Sequence, residues 1–182
     1  MTTVMETITI KDKIFTELFS EKELKEIIEN CVSQIKTSVA ETENLILIGV
    51  LNGAVPFLNE IAFSLPENIS IDYVKAVSYG DNTFSSGKIK LLLDTQMNLN
   101  GKDILLVDDI IDTGCTVQFL IEHFKAMGAK SIKTCCLFYK KNPKIEAPDF
   151  YGAIIDDEFI VGFGLDYAQN GRNLKKIIKL SE

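Results

Sequence analysis

Regular patterning begins at residue 24, where Leu24, Ile27, Ile28, Cys31, Val32, Ile35 and Val39 recur at helical spacing with Glu and Lys between them. That period predicts an amphipathic N-terminal helix that lays its apolar stripe on a sheet. The apolar run LILIGVL at 45–51 reads as a strand, and further strands are expected at 70–79, 88–94, 103–108 and 131–139. Helices are expected near 54–64 and 116–127. The alternation predicts an α/β fold, a mostly parallel twisted sheet flanked by helices. After Pro143 the pattern loosens into PDFYG, short strand-like runs and Gly162, Gly164 and Gly171. This predicts a small C-terminal hood over about residues 143–182, within a single domain spanning 1–182. No internal repeat, linker or low-complexity tract is visible.

The stretch richest in chemistry is LLVDDIIDTGCT at 105–116. Leu105, Leu106 and Val107 read as a buried strand, while Val117, Leu120, Ile121 and Phe124 recur at helical spacing just beyond. Residues 108–116 therefore fall where strand gives way to helix. At such a junction backbone N–H groups and the helix dipole favour an anion. Gly114 relieves the backbone restriction of a tight loop, and Thr113 and Thr116 add hydroxyl donors. Asp108 and Asp109 would repel a phosphate unless they bind something else, and the vicinal hydroxyls of a ribose or a divalent cation would both serve. A bare pair of acids also suits a strand that ends in solvent. The combination points to a ligand because every polar position falls on the predicted loop and none interrupts the apolar strand.

Other segments carry weaker signals. VLNGAVPF at 50–57 places Asn52 and Gly53 in a tight turn that opens a helix, as any strand-to-helix connection would. SYGDNTFSSGK at 78–88 lacks apolar periodicity and suits either a lid or a solvated hairpin tip. Lys140 and Lys141 close a strand before Asn142 and Pro143, a usual place for solvated lysines. Were the ligand a 6-oxopurine, an ammonium beside the carbonyl would select O6 against an amino group, because two donors would otherwise face each other. Phe159 by itself suits a core aromatic, and Arg172 a surface cation. His123, the only histidine, falls outside the apolar stripe of its helix and is read as an exposed residue and not a general base.

The 182 residues are 46% hydrophobic, enough for one sizeable core. The longest apolar runs are too short to cross a bilayer, and MTTVMETITIKDK lacks the apolar centre of a signal peptide, so a cytoplasmic protein is expected. Cys31, Cys115, Cys135 and Cys136 show no C-x-x-C spacing and are expected to be reduced, without a zinc site. A net charge of -7 and a pI near 4.8 argue against nucleic-acid and membrane-surface partners.

The segment VDDIIDTGCT resembles the 5-phosphoribosyl 1-diphosphate motif of type I phosphoribosyltransferases, in particular the purine salvage enzymes for hypoxanthine and guanine. The resemblance extends from about residue 45 to 172. It implies the type I fold, with Asp108 and Asp109 holding ribose hydroxyls and the metal environment, and Asp112, Thr113, Gly114, Cys115 and Thr116 cradling the 5′-phosphate. Relatives commonly carry Glu at the first acid, so Asp108 is one methylene shorter in reach. Leu51, Asn52 and Gly53 match a loop whose Leu-X peptide, often cis, turns its N–H to the diphosphate. Many relatives carry Lys or Arg where this chain has Asn52. Ser78 and Tyr79 match lid residues that close over the diphosphate and keep water from a reactive sugar cation, and Arg172 matches a diphosphate-binding arginine.

By the same resemblance, FYKKNP supplies Lys140 as the O6 donor, and DEFIVGFGLDY at 157–167 supplies Phe159 to stack on the base. The backbone of Ile160 would read the purine edge, and Asp166 would contact metal and base. The implied activity is magnesium-dependent transfer of the phosphoribosyl group to N9 of hypoxanthine or guanine, with Asp112 as the base and Asp108, Asp109 and Asp166 at the metal. Mg2+ resolves the conflict between an acidic protein and a polyanionic substrate. A homodimer or homotetramer is implied as well. The alternatives are a xanthine- or uracil-preferring transferase, and a nucleotide-sensing, RNA-binding regulator on the same fold.

Overall fold

The computed structural model describes residues 7–79, 88–141 and 146–181. It opens with two short strands, β1 (Thr7–Ile10) and β2 (Lys13–Phe19), paired antiparallel as a hairpin. Ser20 then caps α1 (Glu21–Val39): its hydroxyl accepts from Glu23 N while Glu23 Oε2 accepts from Ser20 N at 2.9 Å. This reciprocal box starts the helix ahead of the first apolar position of the stripe. Leu24, Ile28, Cys31, Val32, Ile35 and Val39 are buried, as the period required.

Four further strands and two helices alternate through the middle of the chain: β3 (Leu45–Val50), α2 (Val55–Phe63), β4 (Ser70–Tyr79), β5 (Lys88–Leu93), β6 (Asp103–Ile111) and α3 (Cys115–Ala126). The last four strands are β7 (Ser131–Lys140), β8 (Phe150–Ile155), β9 (Ile160–Val161) and β10 (Ile177–Leu180). The main sheet runs β5-β4-β3-β6-β7-β8, parallel from β4 to β8 and closed by antiparallel β5. Every residue of β3 is buried because both faces of the sheet are covered. Leu45 and Leu47 join Leu105, Val107 and the helices α1 and α2, whereas Ile46, Ile48 and Val50 join Ile104, Leu106 and the α3 residues Leu120 and Phe124. That division of alternate residues between two cores explains why LILIGV reads as one unbroken apolar run.

Two expectations change. β6 does not stop at residue 108 but continues to Ile111, paired with β7 through Asp108↔Cys136, Ile110↔Phe138 and Ile111↔Tyr139. Asp108 and Asp109 are therefore strand residues, because Ile110 and Ile111 beyond them still have core to pack against. The irregular region after Pro143 is divided between two sheets. Phe150–Ile155, expected in the hood, pairs with β7 at the edge of the main sheet, while β9 and β10 join the N-terminal hairpin in a second sheet ordered β1-β2-β10-β9. Phe15, Val161 and Ile178 form the small core of this second sheet.

The four cysteines are free thiols, with Cys31 Sγ 3.8 Å from Cys135 Sγ in the interior. Among the described residues no helix is long and apolar enough to cross a membrane.

Candidate active site

β6 delivers the acid pair to the carboxyl end of the sheet. Asp108 is 8% exposed, and its Oδ1 accepts from Asp109 N at 3.0 Å; Asp109 Oδ1 accepts in turn from Ile110 N at 2.9 Å. Burial pushes the Asp108 carboxyl well above the usual carboxylate range, and the charge of Asp109 adds to the rise. Burial raises Asp109 too, against the pull of hydrogen bonds and of the nearby Arg172. Two neighbouring acids, Asp108 buried and Asp109 partly buried, suit a cation or a diol that restores what water no longer supplies.

Past Ile111 the chain turns through Asp112, Thr113 and Gly114 into α3. Gly114 takes φ 72°, the left-handed conformation that glycine adopts freely, and caps the helix without any side-chain hydrogen bond. The first turn of α3 contains no acid, so its N-terminal N–H groups face no competing carboxylate from their own helix. Asp112, Thr113 and Cys115 are exposed, and Gly114 and Thr116 partly so.

The turn between β3 and α2 lies against the same acids. Leu51–Asn52 is a cis peptide bond, and Leu51 N donates to Val74 O at 2.8 Å. Asn52 is exposed and Gly53 buried. A Cβ on Gly53 would fall 1.5 Å from Asp109 Oδ2, and one on Gly164 would fall 2.0 Å from Gly53 O. The β3–α2 turn, the β6 acid and the loop after β9 thus meet through two glycines that admit no side chain.

Gly164 also links this turn to Arg172, whose Nη1 donates to Gly164 O at 2.6 Å while Nη2 lies 2.6 Å from Asp166 Oδ1. Asp166 Oδ2 accepts from Gln169 N at 2.7 Å. Arg172 is consequently no solitary surface cation. Among the described residues no group of three or more His, Cys, Asp or Glu forms a compact metal-holding cluster.

On the other side of the acid pair, Lys140 ends β7 with its Nζ 3.7 Å from Asp112 Oδ2 and 2.8 Å from Asp157 Oδ1. Phe159 is 49% exposed and meets Tyr167 edge-on at 6.0 Å between ring centres, so it is not a core aromatic. Ile160 is buried in β9, paired with Lys179 of β10.

Residues 15–168 match the phosphoribosyl transferase domain family. The chain is 42% identical over 168 residues to the hypoxanthine-guanine phosphoribosyltransferase of Streptococcus pyogenes serotype M3, an alignment covering 91% of this chain and 92% of the relative. The chain belongs to the hypoxanthine-guanine phosphoribosyltransferase family. A crystal structure of another hypoxanthine-guanine phosphoribosyltransferase, from Bacillus anthracis, is similar with a TM-score of 0.79 at 34% identity, over 91% of this chain and 96% of that one. The chain is also 39% identical over 163 residues, 88% of its length, to the bifunctional TilS/HprT protein of Listeria monocytogenes, of which it spans 25%.

Not every expectation for the family's loops falls on described structure. Ser78 and Tyr79 end β4, paired with Ile89 and Lys88 of β5, so the ends of the expected long loop are strand; residues 80–87 lie outside the described residues, as do Asn142 and Pro143. His123 is not exposed as expected: it is partly buried, with Nε2 2.8 Å from Asp94 Oδ2, because α3 packs beside the chain that leaves β5. Two residues near the site had been given no role in it, Gly164 and Asp157. Asp157 lies two positions before Phe159, yet its partner Lys140 is 17 residues away and is reached only through the β7–β8 pairing.

Proposed function

We propose that this chain transfers the 5-phosphoribosyl group of 5-phosphoribosyl 1-diphosphate to N9 of hypoxanthine or guanine, giving IMP or GMP and diphosphate. The observation that carries the reading is Lys140 within 3.7 Å of Asp112, which joins a donor suited to a purine carbonyl to the acid of the phosphate loop. In the reaction the bond from C1′ of the ribose to the diphosphate oxygen breaks and a bond from C1′ to N9 forms. The proton that leaves the purine passes to Asp112, a carboxylate well suited to accept it. Asp112, Thr113, Gly114, Cys115 and Thr116 hold the 5′-phosphate through backbone N–H groups and hydroxyls. Asp108 and Asp109 take the ribose hydroxyls, and Leu51, Asn52, Gly53, Ser78, Tyr79 and Arg172 take the diphosphate. Lys140 donates to O6, Phe159 stacks on the ring, and the Ile160 backbone reads its edge.

The buried Asp108 and partly buried Asp109, with Asp166, would hold a magnesium ion through hard oxygen ligands of the kind that ion prefers. When bound, the ion neutralises charge on the diphosphate as it leaves. The ion pair of Asp166 with Arg172 keeps that acid oriented beside Gly164. The site excludes an amino group at the purine 6-position because Lys140 offers only donors. The assembly that goes with the family resemblance is a homodimer or homotetramer, working in the cytoplasm with no nucleic-acid or membrane partner.

Incubation with magnesium, 5-phosphoribosyl 1-diphosphate and each of hypoxanthine, guanine, xanthine, uracil and adenine, followed by chromatography of the nucleotides, tests the reading. IMP and GMP are expected, with none when the metal is chelated. Product from xanthine or uracil alone would reassign the base, and RNA binding without any product would make the chain a regulator.

A further inference from the structure

Lys140 is held by two acids, and only Asp112 has a part in the reaction so far. The lysine side chain is 16% exposed, and its ammonium lies nearer to Asp157, at 2.8 Å, than to Asp112, at 3.7 Å. The shorter distance is a charge-assisted hydrogen bond, while the longer one is an ion pair without direct bonding. Asp157 is 96% exposed at its side chain, so packing does not hold it beside the lysine. The attraction itself does, and Lys140 correspondingly keeps the Asp157 carboxyl below the usual range.

The main chain explains how the contact arises. β7 and β8 run parallel with Lys140 opposite Ile155. Two residues later comes Asp157, inside a turn closed by Glu158 N donating to Asp156 O at 2.8 Å, and the chain then reaches the half-exposed ring of Phe159. One short turn therefore carries both the anchor of the ammonium and the ring that stacks on the base.

We propose that Asp157 is a positioning residue that draws the Lys140 ammonium away from Asp112 and fixes it beside the Phe159 turn. The inference rests on the oxopurine reading given above. An ammonium has three donors, and one spent on Asp157 leaves two for a purine carbonyl. Without Asp157 the nearest anion to this largely desolvated cation, among the described residues, is Asp112. The lysine then closes onto it, and a carboxylate in a tight ion pair accepts a proton poorly. Asp157 thereby serves both ends of the purine chemistry, the donor to the carbonyl and the acceptor of the proton, without touching the substrate.

Steady-state kinetics of the full chain as Asp157→Asn and Asp157→Glu test the proposal, with circular dichroism and Tm confirming that each variant is folded. Asp157→Asn is expected to raise KM for hypoxanthine and lower kcat by about tenfold each, the scale of one hydrogen bond to a charged group. KM for 5-phosphoribosyl 1-diphosphate should stay unchanged, and Asp157→Glu, which keeps the carboxylate, should recover most of the loss. Unchanged kinetics in Asp157→Asn, an equal rise in both KM values, or no recovery in Asp157→Glu would overturn the positioning role while leaving the function intact, provided the parent chain forms IMP. A parent chain that forms no nucleotide from any oxopurine would overturn both.

Discussion

Gly53 marks how tightly the site is assembled at the level of single atoms. Its missing side chain is the space that Asp109 Oδ2 occupies, 1.5 Å from where a Cβ would stand. Gly53→Ala must displace the partly buried Asp109 carboxylate or the turn itself, an overpacking that costs about 1–3 kcal/mol. The expected result is a lower Tm together with a raised KM for 5-phosphoribosyl 1-diphosphate, since the displaced groups are those assigned to ribose and diphosphate. A variant with the parent's Tm and KM would show that the two turns do not support each other. Asp108 is set at the same scale. The carboxylate reaches back to its neighbour's N–H at 3.0 Å, a local bond that fits its buried strand position.

Among the elements, α1 was legible from its stripe alone because an amphipathic helix records its own burial in a local period. Its start is set by the Ser20 and Glu23 capping box, and Ser20→Ala should lower Tm by about 2–4 °C through loss of the cap. The Ser20 hydrogen bonds hold the Glu23 carboxyl below its ordinary value. A depressed folded value means that the contribution is present at neutral pH and lost as pH falls through that value. The Tm difference between parent and variant should therefore shrink in acid, as thermal melts at pH 7 and below the usual carboxylate range would record; a difference that grows in acid would contradict it. The N-terminal hairpin was not legible in this way. β1 and β2 are short and half-exposed, and β2 pairs with β10, which lies at the opposite end of the sequence, so no local pattern announces it. The acids of β6 were legible as chemistry but misplaced as loop, because a strand that continues past two acids looks locally like one that ends there.

Across the whole molecule, the segment proposed to hold the phosphate was readable because its residues are contiguous, whereas its link to the residues proposed for the purine was not. Asp112 follows β6, Lys140 ends β7 and Asp157 follows β8, so only the parallel order β6-β7-β8 brings together the three residues proposed as proton acceptor, carbonyl donor and its anchor. That arrangement is the centre of the account, and Asp112→Asn tests it most directly. With magnesium, hypoxanthine and 5-phosphoribosyl 1-diphosphate, the variant should form IMP with kcat lowered about 10²–10⁴-fold, the usual scale of general-base catalysis, while KM for both substrates stays near the parent's. A variant that turns over at the parent's rate would contradict the assignment of Asp112 as the base and, with it, the role given to the β6–α3 loop in the chemistry.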